Sequence, residues 1–487
     1  MSALEQIVVV SDIHLGEDLA QHGPASLQEY ISRLNEQFVT FLEWLSAARG
    51  DTAMTLVING DMFDFIKISL RPDPREAYMR WQQGLSKKEN VLGLGNSPEH
   101  VVWKLERILE NHRPLFWRLA QFLGEGNRLQ IVAGNHDREF YYPEIMSTLT
   151  TSLADIYFSQ HPGEESARAA FEARVQFSMW FHYSETGVYI EHGHQYDPYC
   201  SFEYLLAPLK REGDTQVALP LTHRAIPYFA NLAGEVSTHN LDTRGIGYYL
   251  RELTRLGPKF LVSALWAYVR AVFAVLREAG PKGQRARRSL AAQHEEQRRE
   301  VATKYALSEE VVRALDSLHA TPAEFSFWKM VQAFYVDRFA LFFVTLFGLG
   351  TEAWLIGDRV VRLSAMGVTS LAWFITSEFL ARSRRFDTRV ALRDGAAGVA
   401  RVLHPRLIVF GHSHKPETAK TSSGAYLNIG SWISRAALLG ESEWGMTFAW
   451  VNPQGKPSGL YRWLGTQRDV ALVEAVDAAP AKEKENG

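Results

Sequence analysis

The stretch Ile7-Val8-Val9-Val10-Ser11-Asp12-Ile13-His14-Leu15-Gly16 decides how the chain is read. Four consecutive β-branched residues predict a short strand buried on both faces. Asp12 and His14 follow where that strand runs out into a loop. A carboxylate and an imidazole two positions apart at a strand end share the crevice in which open α/β sheets bind their ligands. One such pair is an ordinary turn acid beside a satisfied histidine; this pair gains weight because the construction recurs. Thr55-Leu56-Val57-Ile58-Asn59-Gly60-Asp61-Met62-Phe63-Asp64 is a second apolar run ending in acids. Leu129-Gln130-Ile131-Val132-Ala133-Gly134-Asn135-His136-Asp137 is a third, ending in Gly and a polar cluster. Gly187-Val188-Tyr189-Ile190-Glu191-His192-Gly193-His194 and Arg406-Leu407-Ile408-Val409-Phe410-Gly411-His412-Ser413-His414 repeat the plan.

Between the early runs the apolar residues change period. Tyr30, Leu34, Phe38, Phe41, Leu42 and Leu45 predict a helix over 27–48, and Val102, Leu105, Ile108, Leu115 and Leu119 predict another over 99–123. Residues 65–100, rich in charge and Gly, read as an irregular excursion. Strands alternating with helices give an α/β class, and the later strands, without clear helices between them, suggest antiparallel additions. One of these, Ala425-Tyr426-Leu427-Asn428-Ile429, leads to Gly430-Ser431-Trp432. From about residue 200 the rhythm stops for about two hundred residues, far longer than the loops of a compact domain. The expected organisation is a core in two parts, 1–200 and 401–470, a helical insertion over 201–400, and a flexible tail over 471–487.

Composition narrows the function. The 487 residues are 46 % hydrophobic and 22 % charged, as in folded proteins, with a net charge of −3. That balance carries no polyanion-binding signature, and no basic, aromatic-interleaved groove is visible, so a nucleic-acid partner is not expected. Cys200 is the only cysteine, which excludes an intramolecular disulfide or a cysteine-based zinc site and suits a reducing cytoplasm. The first residues carry no basic n-region and no long apolar h-region, so secretion by a signal peptide is not expected.

Collected, the strand-end residues are Asp12, His14, Asp61, Asn135, His136, His192, His412 and His414. Hard oxygen and borderline nitrogen donors without thiolate suit Mn²⁺, Fe²⁺ or Zn²⁺. Two ions close together need a bridging carboxylate, and paired ions support in-line displacement at phosphorus.

The blocks Asp12-x-His14, Gly60-Asp61-x-x-Asp64, Gly134-Asn135-His136-Asp137, His192 and Gly411-His412-x-His414 resemble the calcineurin-like metallophosphoesterases. The resemblance covers roughly residues 5–200 and 400–465. It implies a four-layered α/β/β/α sandwich with a dimetal site at the strand ends. On that pattern Asp12, His14 and His414 hold one divalent ion, Asn135, His192 and His412 the other, Asp61 bridges, and Mn²⁺ is the expected metal. His136 would face the leaving group or the phosphate as a non-ligand, with Asp137 orienting its ring. His194 and Arg138 are candidate phosphate contacts, against a surface histidine and a solvated arginine. Asp64 would support the bridging loop, and Tyr196 and Asp197 would line the entrance. Ser11-Asp12-Ile13-His14-Leu15-Gly16, His192-Gly193-His194 and Asn428-Ile429-Gly430-Ser431-Trp432 are most similar to the UDP-2,3-diacylglucosamine hydrolase branch, whose members cleave a pyrophosphate in a lipid A precursor. The chain departs from that branch in carrying His136 where its best-known members have Arg, and in the length of its insertion. The enzyme rival is a soluble phosphodiesterase or protein phosphatase of the same superfamily; the non-enzyme rival is a scaffold that has lost its chemistry.

The insertion has its own pattern. Phe260 to Leu276 is largely apolar, and the charged stretch from Lys282 to Arg299 predicts a solvated helix. Thr321-Pro322-Ala323-Glu324 has the form of a capping box, opening a helix that carries Phe325, Trp328, Phe334, Tyr335, Phe339, Phe342, Phe343 and Phe347. Uncharged runs over 340–351 and 363–377 are each shorter than the ~18–20 residues a spanning helix needs. Arg382, Arg384, Arg385 and Arg389 follow. Apolar helices beside an arginine cluster suit a hairpin lying in an anionic membrane interface over residues 325–389, with a buried helical subdomain, a dimer interface or a full transmembrane hairpin as alternatives. The expectation is therefore an amphiphilic phosphoester substrate and a cytoplasmic protein peripheral to the inner face of a membrane.

Overall fold

The computed structural model describes residues 5–19, 25–221, 223–224, 266, 269–270, 272–273, 288–383, 386–432, 445–452 and 456–476. Strands are β1 (Gln6–Val10), β2 (Met54–Asn59), β3 (Arg128–Val132), β4 (Val175–Ser178), β5 (Phe181–Tyr183), β6 (Val188–Glu191), β7 (Leu407–Phe410), β8 (Pro416–Lys420), β9 (Ala425–Ile429), β10 (Thr447–Val451), β11 (Gly459–Leu464) and β12 (Asp469–Ala475). Helices are α1 (Ala25–Ala48), α2 (Pro74–Trp81), α3 (Lys87–Leu92), α4 (Pro98–Asn111), α5 (Arg113–Gly124), α6 (Pro143–Phe158) and α7 (Arg168–Glu172). They continue with α8 (Leu290–Lys304), α9 (Glu309–Asp316), α10 (Phe327–Ala333), α11 (Val336–Leu355), α12 (Arg359–Ser383) and α13 (Thr388–Leu403).

The strands form two sheets, β12-β11-β10-β1-β2-β3-β4 and β5-β6-β7-β9-β8. Period-two alternation assigns their faces. Ile7 and Val9 of β1, Val57 of β2 and Val132 of β3 pack against Val188, Ile190, Leu407, Val409 and Leu427 of the other sheet. Val8, Val10, Leu56 and Ile58 face the opposite way, onto α1, α4, α5 and α6 through Phe38, Phe41, Leu105, Phe116 and Leu149. Tyr189, Ile408, Phe410 and Tyr426 meet Leu392, Ala396 and Val399 of α13 and Val312 and Leu315 of α9. The result is the expected α/β/β/α sandwich.

β6 and β7 are parallel neighbours, with Val188 beside Leu407. The insertion therefore leaves and re-enters the same sheet between adjacent strands. Its last helix, α13, packs on the second sheet through Leu392, Ala396 and Val399. The strands after it are only partly antiparallel: β7 is parallel to both β6 and β9, whereas β8, β10, β11 and β12 run antiparallel to their partners. Residues 471–475, expected in the tail, instead belong to β12, which pairs with β11 up to Ala475.

Local details depart from expectation for identifiable reasons. The predicted 99–123 helix is two helices meeting at His112, because Pro114 cannot continue an α-helix and is accommodated in the first turn of α5. The 65–100 excursion holds α2, capped by the Asp73 side chain, and α3, opened by a capping box between Ser86 and Glu89. The 321–324 box does not open a long helix. Ala323 N–H donates to Pro198 O at 2.7 Å and Glu324 pairs with Arg224, so tertiary contacts hold this segment as a 3₁₀ turn. α10 is capped by Ser326 instead, and the chain breaks at Tyr335, in the left-handed region (φ 55°), before α11. The charged stretch becomes α8 from Leu290 onward; it buries Leu290, His294 and Ala302 rather than floating in solvent. Most of 260–276, together with 282–287, Arg384, Arg385 and 477–487, lies outside the described residues.

The helical layer over the second sheet is tied to it by a buried ionic contact. His319, just after α9, lies 3.3 Å from Asp316 and 3.6 Å from Glu191 at the end of β6. Burial alone would lower its pKa, but these carboxylates raise it to about 9. A histidine whose folded-state pKa is raised contributes stability fully below the unfolded value, near 6.5, and loses it as pH rises through the folded value. Denaturant unfolding should therefore show the wild type losing, between about pH 6.5 and 9, on the order of 1–3 kcal/mol that His319→Gln never had. Parallel pH profiles for the two proteins would contradict this.

Candidate metal centre

Every residue of the strand-end set sits just past the end of a strand, and the backbone there is unusual. Asp12 (φ 57°), His14 (φ 51°), Asp61 (φ 52°), His412 (φ 64°) and His414 (φ 55°) all lie in the left-handed region, which costs a non-glycine residue energy and is characteristic of ligand sites. Hydrogen bonds between loops hold them there. Asp12 N–H donates to Gly60 O at 3.1 Å, and His14 N–H to Asp61 O at 2.9 Å. The Ser431 hydroxyl donates to Asp12 O at 3.1 Å, and Trp432 N–H to Ser11 O at 3.0 Å. Trp432 is in turn wedged against Phe38 and Phe41 of α1.

Glycine allows the loops to converge. A Cβ on Gly134 would lie 2.1 Å from Asp61 Oδ1, and one on Gly60 would lie 2.3 Å from the His192 ring. Both positions therefore require the bare backbone.

The side chains meet at coordination-like distances. His414 Nε2 is 2.9 Å from Asp12 Oδ1, and His14 Nε2 is 3.8 Å from both Asp12 Oδ1 and Asp61 Oδ2. His192 Nε2 is 3.2 Å from Asp61 Oδ2 and 3.2 Å from Asn135 Oδ1. Among the described residues four groups have ligand atoms within 4.8 Å of one another; beside His14–Asp64–His136 and Asp197–Cys200–His412, two combine the expected ligands, Asp12–His14–His414 and Asp12–Asp61–His192. Their all-oxygen and imidazole donors fit divalent cations.

Second partners fix which nitrogen faces the centre. His192 Nδ1 is 2.8 Å from Asn59 O, which leaves Nε2 toward Asp61 and Asn135. Asp64 Oδ2 lies 3.5 Å from His14 Nδ1 and 3.0 Å from His136 Nδ1. Asp197 Oδ2 is 3.3 Å from His412 Nε2, so it braces that ring rather than only lining an entrance.

The carboxylate against the His136 ring is thus that of Asp64, not Asp137. Asp137 instead accepts from Gly134 N–H at 2.6 Å and Met62 N–H at 2.7 Å, tying the β2 and β3 loops together. Arg138 is neither solvated nor aimed at phosphate. It is 0 % exposed, donates to the carbonyls of Met179 and Leu205, and stacks 5.3 Å from the Phe202 ring. His194 is buried rather than superficial, 5.4 Å from the His192 ring and 3.3 Å from Gln195 Nε2. Burial and the neighbouring His192 push its pKa well down, so it is a neutral group beside the centre.

Sequence reading missed His223 altogether. It is 3 % exposed, its ring lies 4.3 Å from that of His136, and its Nε2 is 3.3 Å from Asn135 Nδ2. No strand precedes it, so the pattern that found the other residues could not reach it. Lys67, 3.2 Å from Asp64 and paired with Glu17, was also passed over.

Electrostatics follow from this packing. Burial alone would raise the carboxyls of Asp12, Asp61 and Asp64, but the surrounding imidazoles, and Lys67 beside Asp64, hold all three well below their usual range. Burial works the other way on His14 and His192; their carboxylate neighbours overcome it and raise them to about 10 and about 9. Without metal, both rings carry a proton at neutral pH that coordination must displace. Calorimetry in buffers of differing ionisation enthalpy should register proton release on Mn²⁺ binding near pH 7, with affinity rising as pH approaches about 9. Binding without proton release would exclude these two rings as ligands. Gly134→Ala should abolish metal retention while leaving the far-ultraviolet dichroism near wild type, since its Cβ displaces Asp61 first. Full metal content in that variant would show the close approach to be dispensable.

The calcineurin-like phosphoesterase family matches residues 6–264, more than half of the chain. No curated protein and no solved structure matches it. The family implies divalent metal ions, and the His and Asp clusters at the strand ends are able to hold them. The match ends before β7, so His412 and His414 join the centre through the sheet pairing of β7 with β6. The chain belongs to the calcineurin-like phosphoesterases and is a metal-dependent phosphoester hydrolase.

Proposed function

We propose that this phosphoesterase cleaves a phosphodiester or pyrophosphate bond in an amphiphilic substrate, UDP-2,3-diacylglucosamine being the first candidate, at the inner face of a membrane. The observation that carries the amphiphile is the α11–α12 hairpin. These helices pack on each other and bury none of their large apolar residues. Phe347 is 79 % and Trp354 84 % exposed, with Phe343, Val344, Val360, Val368 and Phe379 also outward. Among the described residues nothing covers this part of the stripe, which supports a lipid contact over a subdomain core, although Phe334 at its start packs with Leu221 and Ala323. The uncharged runs are parts of longer helices, of 20 and 25 residues, each long and apolar enough to cross a membrane. Two polar contacts lie between the helices, Thr369 donating to Glu352 at 2.6 Å and Arg338 to Ser377 O at 3.1 Å, while Arg359 and Glu378 stay exposed. Internal satisfaction of polar groups and an apolar exterior are what a lipid environment demands.

At the centre, Asp12, His14 and His414 would hold one ion and Asn135, His192 and His412 the other, and Asp61 would serve both. When bound, two divalent ions, proposed as Mn²⁺, supply Lewis acidity to the phosphoryl oxygens and a nucleophile at neutral pH. His136 is 7 % exposed and fixed through Nδ1 by Asp64, so a proton given to the leaving oxygen departs from Nε2. Asp137 supports His136 only indirectly, by holding Gly134 and Met62 in place.

Mn²⁺-supplemented hydrolysis of UDP-2,3-diacylglucosamine in detergent, alongside a soluble aryl phosphodiester, tests the substrate. Turnover of the aryl ester alone would discard the lipid assignment in favour of a soluble phosphodiesterase. Turnover of neither, with metal bound, would favour the scaffold. His136→Ala should lower turnover by roughly 10²–10⁴ with metal content intact, whereas Asp61→Ala should lose both. Equal metal loss in the two variants would remove the distinction between them. Paired Phe347→Asp and Trp354→Asp substitutions should abolish flotation with anionic vesicles without changing aryl-ester turnover. Unchanged flotation, or a shift only in oligomeric mass, would identify the hairpin as a contact between proteins instead.

A further inference from the structure

We infer that His223, carried by the insertion, is a positioning residue for the metal ligand Asn135: it sets the rotation of the Asn135 amide so that the oxygen, and not the nitrogen, faces the ions. The inference rests on the two-ion reading of the centre, not on the identity of the substrate.

An asparagine side chain offers a carbonyl oxygen that can coordinate a cation and an amide nitrogen that can only donate. Nothing in its own shape decides which end faces the metal; its hydrogen-bond partners do. Here Asn135 Nδ2 lies 3.3 Å from His223 Nε2, and Asn135 Oδ1 lies 3.2 Å from His192 Nε2. With Nδ2 donating, the His223 tautomer that accepts at Nε2 is the one that holds this orientation. Turned by half a rotation, the amide would set its oxygen against the His223 lone pair and its N–H groups against the ion. His223 therefore acts on Asn135 as Asn59 O acts on His192 and Asp64 on His14.

The position of His223 is built. His223 N–H donates to Pro220 O at 3.1 Å, closing a turn, and the adjacent Arg224 forms a buried ion pair with Glu324 at 2.5 Å. Leu221 of the same turn packs with Ala323 and Phe334, immediately before α11. The ring that orients Asn135 is thus anchored at the base of the exposed hairpin.

The test uses the full chain in detergent, with metal per chain measured by mass spectrometry after equilibration against Mn²⁺ buffers. His223→Phe removes the acceptor and should weaken the more labile ion by 10–100-fold, with kcat on an aryl phosphodiester restored by excess Mn²⁺ and KM little changed. His223→Gln, whose amide oxygen can accept from Asn135, should stay within a few-fold of the wild type. Wild-type affinity for both ions in His223→Phe would overturn the assignment, as would equal impairment of the Phe and Gln variants. Thermal unfolding of the metal-free variants identifies a loss that is merely structural. A wild type that binds fewer than two ions would instead remove the two-ion reading, and that is seen before any variant is made.

Discussion

Three carboxylates, Asp12, Asp61 and Asp64, are buried in one pocket, and this concentration of negative charge is the constraint on which the rest depends. A buried ion costs several kcal/mol unless an opposite charge is held beside it. In the metal-free chain His14, His192 and Lys67 supply that charge, which is why two imidazoles keep protons far above the usual histidine range. Divalent ions do the same more completely, and they do it where a phosphoryl group can be bound. The fold is arranged to bring the acids together despite their repulsion. Parallel strands deliver acids and imidazoles to the same edge, glycines let the loops approach, and the left-handed conformations turn the side chains inward.

Much of that arrangement was legible because it is periodic. Val8 and Val10 face one layer and Ile7 and Val9 another, so β1 had to be covered on both sides, and the repeated strand–loop pattern placed Asp12, Asp61, Asn135 and His192 at one edge. The later strands were harder. β7 follows a long insertion yet lies parallel beside β6, and sequence distance carries no information about a neighbour so remote along the chain. Element boundaries failed where tertiary contacts overrode local preference, as at Ala323 and Glu324.

Within the site, the residues at strand ends were legible and their supports were not. Asp64 and Asp137 stand in equivalent-looking loops, and only three-dimensional packing decides that Asp64 meets the His14 and His136 rings while Asp137 is consumed by backbone amides. Arg138 adjoins the block that a phosphate would visit, but its guanidinium supports the carbonyls of Met179 and Leu205. A motif specifies which residues lie near a centre; the hydrogen-bond partners of each decide what it can do there.

The insertion and the centre are not independent parts. Glu324, which precedes the hairpin, pairs with Arg224, and that turn presents His223 to Asn135 and His136. A packed chain of this kind transmits position because cores are dense and do not deform continuously. If the hairpin sits in lipid, the α11 base becomes a fixed point at the membrane surface, and the turn carrying His223 is fixed with it. The metal-site residues and the base of the hairpin then share one short structural connection, so a shift at either end would be felt at the other.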